Sequence, residues 1–143
     1  MADLHTVASA RVRAVDQRYT TRRHAVVDLL AEADRPQSIA DLLDADSSLA
    51  QSSLYRNLVV LERAGVVRRI LTNGDFARFE LAEDLTEHHH HLICSSCGSV
   101  GDFTVPAALE ADLAQALRRV ASRAKFQADG HRLDLVGVCA DCT

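Results

Sequence analysis

Two pairs of cysteines, each spaced as C-x-x-C, constrain the fold of this chain more than any other feature. Cys94-Ser-Ser-Cys97 and Cys139-Ala-Asp-Cys142 contain all four cysteines of the 143 residues. Two thiolates at this spacing on a turn can point at one cation, and two such pairs complete a tetrahedron. Residues 98–138 separate the pairs, a gap too long for a compact zinc ribbon, so a subdomain must fold between them. We predict a structural zinc site, with an iron–sulfur cluster as the alternative.

The rest of the sequence is typical of a cytoplasmic globular protein, which favours metal binding by the cysteines. The chain has no apolar run near the roughly 18–20 residues that span a bilayer, so no membrane partner is expected. Its first residues lack a basic patch followed by an apolar core, as a secretory signal would have. Disulfides rarely persist in the cytoplasm. The net charge of −4 argues against a broadly basic surface for binding nucleic acid.

A change in composition near residue 85 predicts two domains. Basic and acidic groups balance within residues 1–81, whereas residues 88–143 carry five of the seven histidines and all four cysteines. The intervening segment is acidic, with Glu83, Asp84 and Glu87. We therefore predict an N-terminal domain over residues 1–82, a hinge linker over 83–87 and a C-terminal domain over 88–143.

The sequence pattern of the first half predicts short helices followed by a β-hairpin. Ser38 and Asp41 form a capping-box pattern, and a longer helix over about residues 52–64 ends at Gly65. Two β-rich runs follow, Val66–Thr72 and Phe76–Leu81, joined by Asn73-Gly74, a strong hairpin signal. This order predicts a winged helix-turn-helix, whose second motif helix enters a major groove. The alternative is a small helical domain with a surface hairpin.

Several polar side chains of this half are candidates for contact with double-stranded DNA. Ser52, Ser53 and Arg56 form the polar face of the predicted recognition helix, with Tyr55 beside it. Such side chains donate to phosphates, and arginine also binds guanine bidentately. Arg22 and Arg23 open an earlier helix and are further candidates.

A run of four histidines, His88 to His91, precedes the apolar tail Leu92-Ile-Cys94. If the run is a strand, its side chains alternate between two faces. His88 and His90 then point one way, while His89 and His91 point the other. Each pair can donate two imidazoles to a separate metal ion. The alternative is a solvated patch or a tag.

Between the cysteine pairs the pattern predicts a second strand, a helix and a final strand. Residues 100–105 form the strand, Pro106 opens the helix in its first turn, and residues 131–139 alternate as the last strand. The C-terminal half is therefore ββαβ, with a sheet edge open for self-pairing. The whole chain is predicted to be α+β.

These segments together resemble the ferric uptake regulator family of metal-responsive bacterial repressors. The resemblance covers about residues 18–142, and it rests on three patterns: Ser53-Leu-Tyr-Arg-Asn-Leu58 with Gly65-Val-Val67, the histidine run through Cys94-x-x-Cys97-Gly98, and His131 before Cys139-x-x-Cys142. It implies a homodimer of two-domain subunits. Each subunit would place an N-terminal winged helix on DNA and pair through a small C-terminal α/β dimerisation domain, with a co-repressor metal at the hinge.

The resemblance also implies three ligand sets. The structural zinc set is Cys94, Cys97, Cys139 and Cys142. The hinge sensory set is His89, His91, Glu80 and Asp102. The second set, within the dimerisation domain, is His88, His90, Glu110 and His131. Many members of the family have a histidine ligand of the sensory site where this chain has Pro36. Asp84 is one candidate to replace that missing ligand.

The sequence therefore predicts a metal-dependent, DNA-binding transcriptional repressor rather than an enzyme. It would bind palindromic operators of metal-homeostasis or oxidative-stress genes as a dimer, when zinc, iron or manganese fills the sensory site. Two alternatives stay open at this point. One is a zinc-stabilised interaction module without DNA binding. The other is a small metallohydrolase, against which the sequence has no H-E-x-x-H motif and no glycine-rich phosphate loop.

Overall fold

The computed structural model describes residues 3–72 and 77–143. Its N-terminal unit contains four helices and a hairpin: α1 (Leu4–Ala14), α2 (Thr21–Glu32), α3 (Ile39–Ala45), α4 (Gln51–Arg63), β1 (Val67–Ile70) and β2 (Arg78–Leu81). Its C-terminal unit contains a small sheet and one long helix: β3 (His90–Cys94), β4 (Val100–Phe103), α5 (Ala107–Arg123) and β5 (Asp134–Gly137). The predicted order of elements is confirmed, and the Asn73-Gly74 turn lies outside the described residues.

Local signals in the sequence set the helix ends. The hydroxyl of Thr20 accepts a hydrogen bond from the backbone of Arg23, which caps α2. Ser38 and Asp41 form the predicted capping box at the start of α3. Gly65 follows α4 with φ at +77°, a backbone conformation that residues with a Cβ rarely adopt.

One apolar core holds the N-terminal helices together. The predicted stripe of α4, Leu54, Leu58 and Leu61, is fully buried. It belongs to the same cluster as Val26 of α2 and Phe79 of β2. Burying these side chains leaves the opposite side of α4 facing solvent, as a recognition helix requires.

The hairpin forms a wing that is anchored on the helices. Strands β1 and β2 are antiparallel, with Val67 opposite Leu81. Gln37, just after Pro36, pairs with Phe79 through two backbone hydrogen bonds of 2.8 and 2.7 Å. The segment after α2 is therefore attached to the two-stranded wing by an isolated β-bridge.

In the C-terminal unit β3 is the central strand, between β4 and β5. It runs antiparallel to β4 and parallel to β5, and α5 supplies the crossover that a parallel pair needs. The register pairs His91 with Asp102. Four boundaries differ from expectation. β3 begins at His90, so His88 and His89 precede the strand, and both β4 and β5 are shorter than predicted. Pro106 has an extended ψ of 142° and caps α5 instead of lying in its first turn.

The C-terminal unit leaves most of its apolar surface uncovered. Its buried Ile93 and Val100 cluster with Ile70 of the wing strand β1, and no residue of α5 or β5 is buried. Large apolar side chains are exposed on both elements, Phe126 by 68% and Leu135 by 61%. In the described part of the chain, no helix is long and apolar enough to cross a membrane.

Candidate metal centres and DNA surface

The four cysteines converge on one point from two turns. Their sulfur atoms lie within 4.8 Å of one another, and Cys97 Sγ is 3.8 Å from Cys139 Sγ. Four thiolates at 2.3 Å from a tetrahedral zinc ion are separated by about 3.8 Å. The geometry therefore suits structural zinc, which the sequence predicts at these residues.

Backbone amides and the crowding of the sulfurs shift the thiol pKa values in opposite directions. The amides of Cys97 and Cys139 each donate to Cys94 Sγ at 3.4 Å and lower the pKa of Cys94 to about 6. The pKa of Cys142 is raised to about 12, first by its hydrogen bond with Cys139. The protein alone thus stabilises some of the four thiolates but not all, and a cation would supply the missing charge.

A second cluster lies between the wing and the sheet. Glu80 of β2 lies close to two histidines of the run, with Oε2 at 2.9 Å from His89 Nε2, just before β3, and Oε1 at 3.1 Å from His91 Nε2, within β3. Asp102 of β4 lies 3.8 Å from His89 and 3.7 Å from His91. The hinge cluster Glu80, His89, His91 and Asp102 thus contains the four residues of the predicted sensory set.

The hydrogen bonds around this hinge cluster direct its ligand atoms inward. His89 Nδ1 donates to the carbonyl of Glu87 at 2.8 Å, so its Nε2 faces the carboxylates. The two acceptors raise the pKa of His89 although burial lowers it. For the Glu80 carboxyl, burial has the opposite effect and raises the pKa. The hydrogen bonds from His91 and His89 outweigh burial and hold the pKa of Glu80 at about 2. A proton on Nε2 occupies the position that a cation would take, so the donor set fits a divalent metal.

The wing also holds Glu80 from the other side. Arg68 of β1 lies opposite Glu80 in the hairpin, and its Nε donates to Oε1 at 2.5 Å. The carboxylate is therefore shared between an arginine of the N-terminal unit and histidines of the C-terminal unit. A second contact joins β2, the strand of Glu80, to the turn that carries Cys94 and Cys97. In this contact Arg78 Nε donates to the carbonyl of Gly98 at 3.1 Å.

A third cluster gathers the other two histidines of the run on the opposite face of β3. Glu110 of α5 lies 2.7 Å from His90 Nε2, 2.9 Å from His88 Nε2 and 2.8 Å from His131 Nε2. Three imidazole nitrogens that point at one carboxylate form a donor set for a divalent ion. The predicted alternation of the run thus separates His88 and His90 from His89 and His91.

Two contacts of the acidic linker were not predicted. Glu83 contacts His88 Nδ1, on the side of the ring away from Glu110. Asp84 forms an ion pair with Arg11 of α1, which also donates to the carbonyl of Gly65 at 2.7 Å. The structure therefore groups Asp84 with Arg11 and not with the hinge cluster, where it was considered as a substitute ligand.

The predicted DNA-contact residues are distributed over α2 and α4. Ser52, Tyr55 and Arg56 lie on the exposed side of α4, and Arg22 is exposed at the start of α2. Arg23 is instead half-buried, because its Nε donates to Asn57 at 3.0 Å and its Nη1 to the carbonyl of Arg18 at 2.6 Å. Its guanidinium therefore connects the start of α2 to α4.

One group of side chains that could hold a metal ion was missed altogether by sequence reasoning. His5, His24 and Asp28 lie together on α1 and α2. The spacing of His24 and Asp28, one helical turn, was the available signal. The approach of His5 depends on how α1 packs, which the sequence pattern does not reveal.

A winged helix-turn-helix joined to a sheet that carries cysteine and histidine clusters defines a class of protein, the metal-binding transcription regulators. Comparison with known proteins identifies the family. Residues 14–136 match the ferric uptake regulator family. The chain therefore belongs to that family and is a metal-dependent transcriptional repressor, not an enzyme.

Individual relatives agree with this assignment. The chain is 34% identical over 101 residues to the ferric uptake regulation protein of Legionella pneumophila, covering 71% of this chain and 69% of the relative. It is 28% identical over 130 residues to the peroxide operon regulator of Bacillus subtilis, covering 88% of this chain and 84% of that relative. The crystal structure of the Vibrio cholerae ferric uptake regulator superposes with a TM-score of 0.70 at 25% identity, covering 92% of this chain and 98% of that one. The predicted α+β fold, with a C-terminal α/β dimerisation domain, is thus confirmed.

Proposed function

We propose that this repressor binds a palindromic operator as a homodimer when a divalent metal fills the hinge cluster. One observation carries the proposal: Glu80 belongs to the wing, whereas His91 and Asp102 belong to the C-terminal sheet and His89 directly precedes its central strand. A ligand set drawn from both units favours one relative orientation of them. Two winged units at a fixed separation then fit successive major grooves of one operator.

The residues of the chain itself supply the coupling. A divalent cation at this cluster would balance the two carboxylates and fix them against the two imidazoles. Without it, Glu80 relies on hydrogen bonds to His89 and His91 and on its ion pair with Arg68. Because Glu80 lies in β2, an ion that fixes its carboxylate also restrains the wing relative to the sheet.

We assign zinc to the four cysteines and zinc, iron or manganese to the hinge cluster. The hinge donors are imidazole and carboxylate without thiolate, a set that suits all three ions. His88, His90, Glu110 and His131 form the second site, and we expect them to stabilise the dimerisation domain because β3, α5 and the segment before β5 all contribute ligands.

The homodimer accounts for the uncovered apolar surface. Members of the family bind DNA as dimers, and in this chain α5 and β5 have no buried residue. The exposed side chains that a second copy would cover are Leu92, Leu109, Leu117, Val120, Phe126, Leu133, Leu135, Val136 and Val138. Burial of such residues is the usual source of stability in an obligate dimer.

The DNA surface is proposed to be the outer side of α4, with Ser52, Tyr55 and Arg56, together with Arg22. Arg23 would act by holding α4 in place through Asn57. The domain limits proposed for this arrangement are 1–82 and 88–143, joined by the linker over 83–87. The protein would act in the cytoplasm, on metal-homeostasis or oxidative-stress genes.

A gel-shift experiment with the promoter of the protein's own gene tests the proposal. We expect a shift that requires added zinc, manganese or anaerobic iron and that chelation reverses. A shift independent of metal would reject metal control of DNA binding. No shift under any metal would reject the proposal as a whole and favour a zinc-stabilised interaction module.

A further inference from the structure

His5, His24 and Asp28 form a compact group within the winged-helix unit, separate from both faces of β3. His24 and Asp28 lie one turn apart on α2, and His5 lies in the first turn of α1. Asp28 Oδ1 is 2.6 Å from His5 Nε2, and Asp28 Oδ2 is 3.2 Å from His24 Nδ1. All three ligand atoms lie within 4.8 Å of one another. We propose that these residues bind a divalent transition-metal ion that clamps α1 to α2.

The two imidazole rings are arranged to share one partner. They stack with centroids 3.5 Å apart and planes 7° from parallel. This stacking brings one nitrogen of each ring to a different oxygen of the same carboxylate. A metal ion would replace the two hydrogen bonds and draw on all three side chains.

Tyr19 orients the buried end of this site. Its hydroxyl oxygen lies 2.7 Å from His5 Nδ1. When a metal ion is bound, the phenol oxygen can accept the Nδ1 proton of His5, which leaves the Nε2 lone pair for the ion. A partner on the distal nitrogen is the usual support of a histidine that binds metal.

The donor set indicates which ions fit and how they exchange. Two imidazoles and one carboxylate suit borderline ions such as zinc, cobalt and nickel. His24 and Asp28 are about half exposed, and the group borders a cavity of about 320 Å³ that Thr6, Ser9 and Arg13 also line. Water therefore completes the coordination, and the ion exchanges more readily than one held by four cysteines.

The consequence of binding is a stiffer winged-helix unit. The ion would join the start of α1 to the middle of α2, whose first turn carries Arg22 and Arg23. Because the unfolded chain does not assemble the three ligands, binding stabilises the folded unit by mass action.

Tyrosine fluorescence offers a selective test in the full-length, zinc-containing protein. The chain has two tyrosines and no tryptophan, so Tyr55→Phe leaves Tyr19 as the only emitter. Cobalt chloride is titrated into this protein, and we expect saturable quenching because Tyr19 contacts a ligand ring. Adding Asp28→Asn should raise the cobalt concentration at half-maximal quenching by about tenfold or more, and adding His24→Ala should do the same. Glu32→Gln, a matched change on the same helix, should leave it unchanged.

Asp28→Asn keeps the size of the side chain and one hydrogen-bonding oxygen, so it decides the result even if His24→Ala unfolds. Metal analysis of the cobalt-saturated proteins should find one ion fewer in Asp28→Asn than in Glu32→Gln. Equal midpoints and equal metal content in these two variants, or no quenching at all, would overturn the proposal.

Discussion

Glu80 Oε1 lies 3.1 Å from His91 Nε2, although the two residues belong to different units of the fold. Glu80 is in the second wing strand and His91 is in the central strand of the C-terminal sheet. Both side chains are buried, Glu80 with 7% and His91 with 2% of its surface exposed. A buried contact of this kind is sensitive to small shifts between the units, because a buried charge that loses its partner is costly.

Glu80→Gln should therefore weaken hinge metal binding by about ten- to a hundredfold and shift metal-dependent operator binding to higher metal concentrations. The cysteine-bound zinc should stay in place. Both effects are measured by metal titration, with operator binding followed by fluorescence anisotropy.

Arg68→Gln separates loss of a ligand from loss of an ion pair. It removes the arginine that shares Glu80 Oε1 but keeps the carboxylate. Hinge metal affinity should be retained or increased in Arg68→Gln, because a competitor for Glu80 is gone. An equal loss of metal affinity in both variants would mean that the ion pair, and not the carboxylate ligand, organises the site.

Cys139→Ser should abolish zinc binding at the four-cysteine site and prevent stable folding of the C-terminal unit. Structural zinc contributes about 10–16 kcal/mol of apparent binding energy in small domains, comparable with the whole stability of a typical protein. Circular dichroism melting, metal analysis and dimer mass measure the loss. Ala140→Ser, which places the same hydroxyl beside the ligand, is the control. A dimeric, zinc-free Cys139→Ser protein with an unchanged melting temperature would contradict the structural role.

The acidic residues near the hinge should differ in their effect on metal binding. Asp102→Asn should weaken hinge affinity, since the carboxylate lies 3.7 Å from His91. Asp84→Asn should leave it unchanged, because that carboxylate is bound to Arg11. Isothermal titration of the two variants under identical conditions compares them directly. A greater loss in Asp84→Asn would make Asp84 the substitute ligand for the position of Pro36.

Arg56→Ala should weaken operator binding by about tenfold or more without changing metal content. Arg56 is exposed on α4 and has no ion pair among the described residues, so its removal costs the fold little. Arg119→Ala on α5 is a control of equal charge. Equal affinity of the two variants for the operator would move the DNA surface away from α4.

The arrangement of the histidine run follows from the sequence because strand alternation is a local property. His90 and His91 point to opposite faces of β3, and the extended residues before the strand continue this alternation, which places His88 beside His90 and His89 beside His91. The carboxylates are different. Glu80, Asp102 and Glu110 come from three other elements, so only the family resemblance indicated them.

The features that the sequence left hidden all depend on packing between distant segments. Glu83 meets His88 because of the path of the linker, and His5 meets Asp28 because α1 packs on α2. The helix α5 was predicted from the sequence pattern, yet none of its residues is buried in the single chain. The homodimer proposed above would cover its exposed apolar side chains.

The midpoint of metal-dependent operator binding, compared between two double variants, tests the central claim most directly. His89→Ala with His91→Ala removes two hinge ligands, whereas His88→Ala with His90→Ala removes two ligands confined to the dimerisation domain. The first protein should keep its cysteine-bound zinc and its dimer mass but lose metal-activated binding, as the metal-free protein does. The second should show a milder shift of the midpoint and lower dimer stability, and His131→Ala should resemble it. Identical midpoints for the two double variants would contradict a hinge site that couples the wing to the sheet.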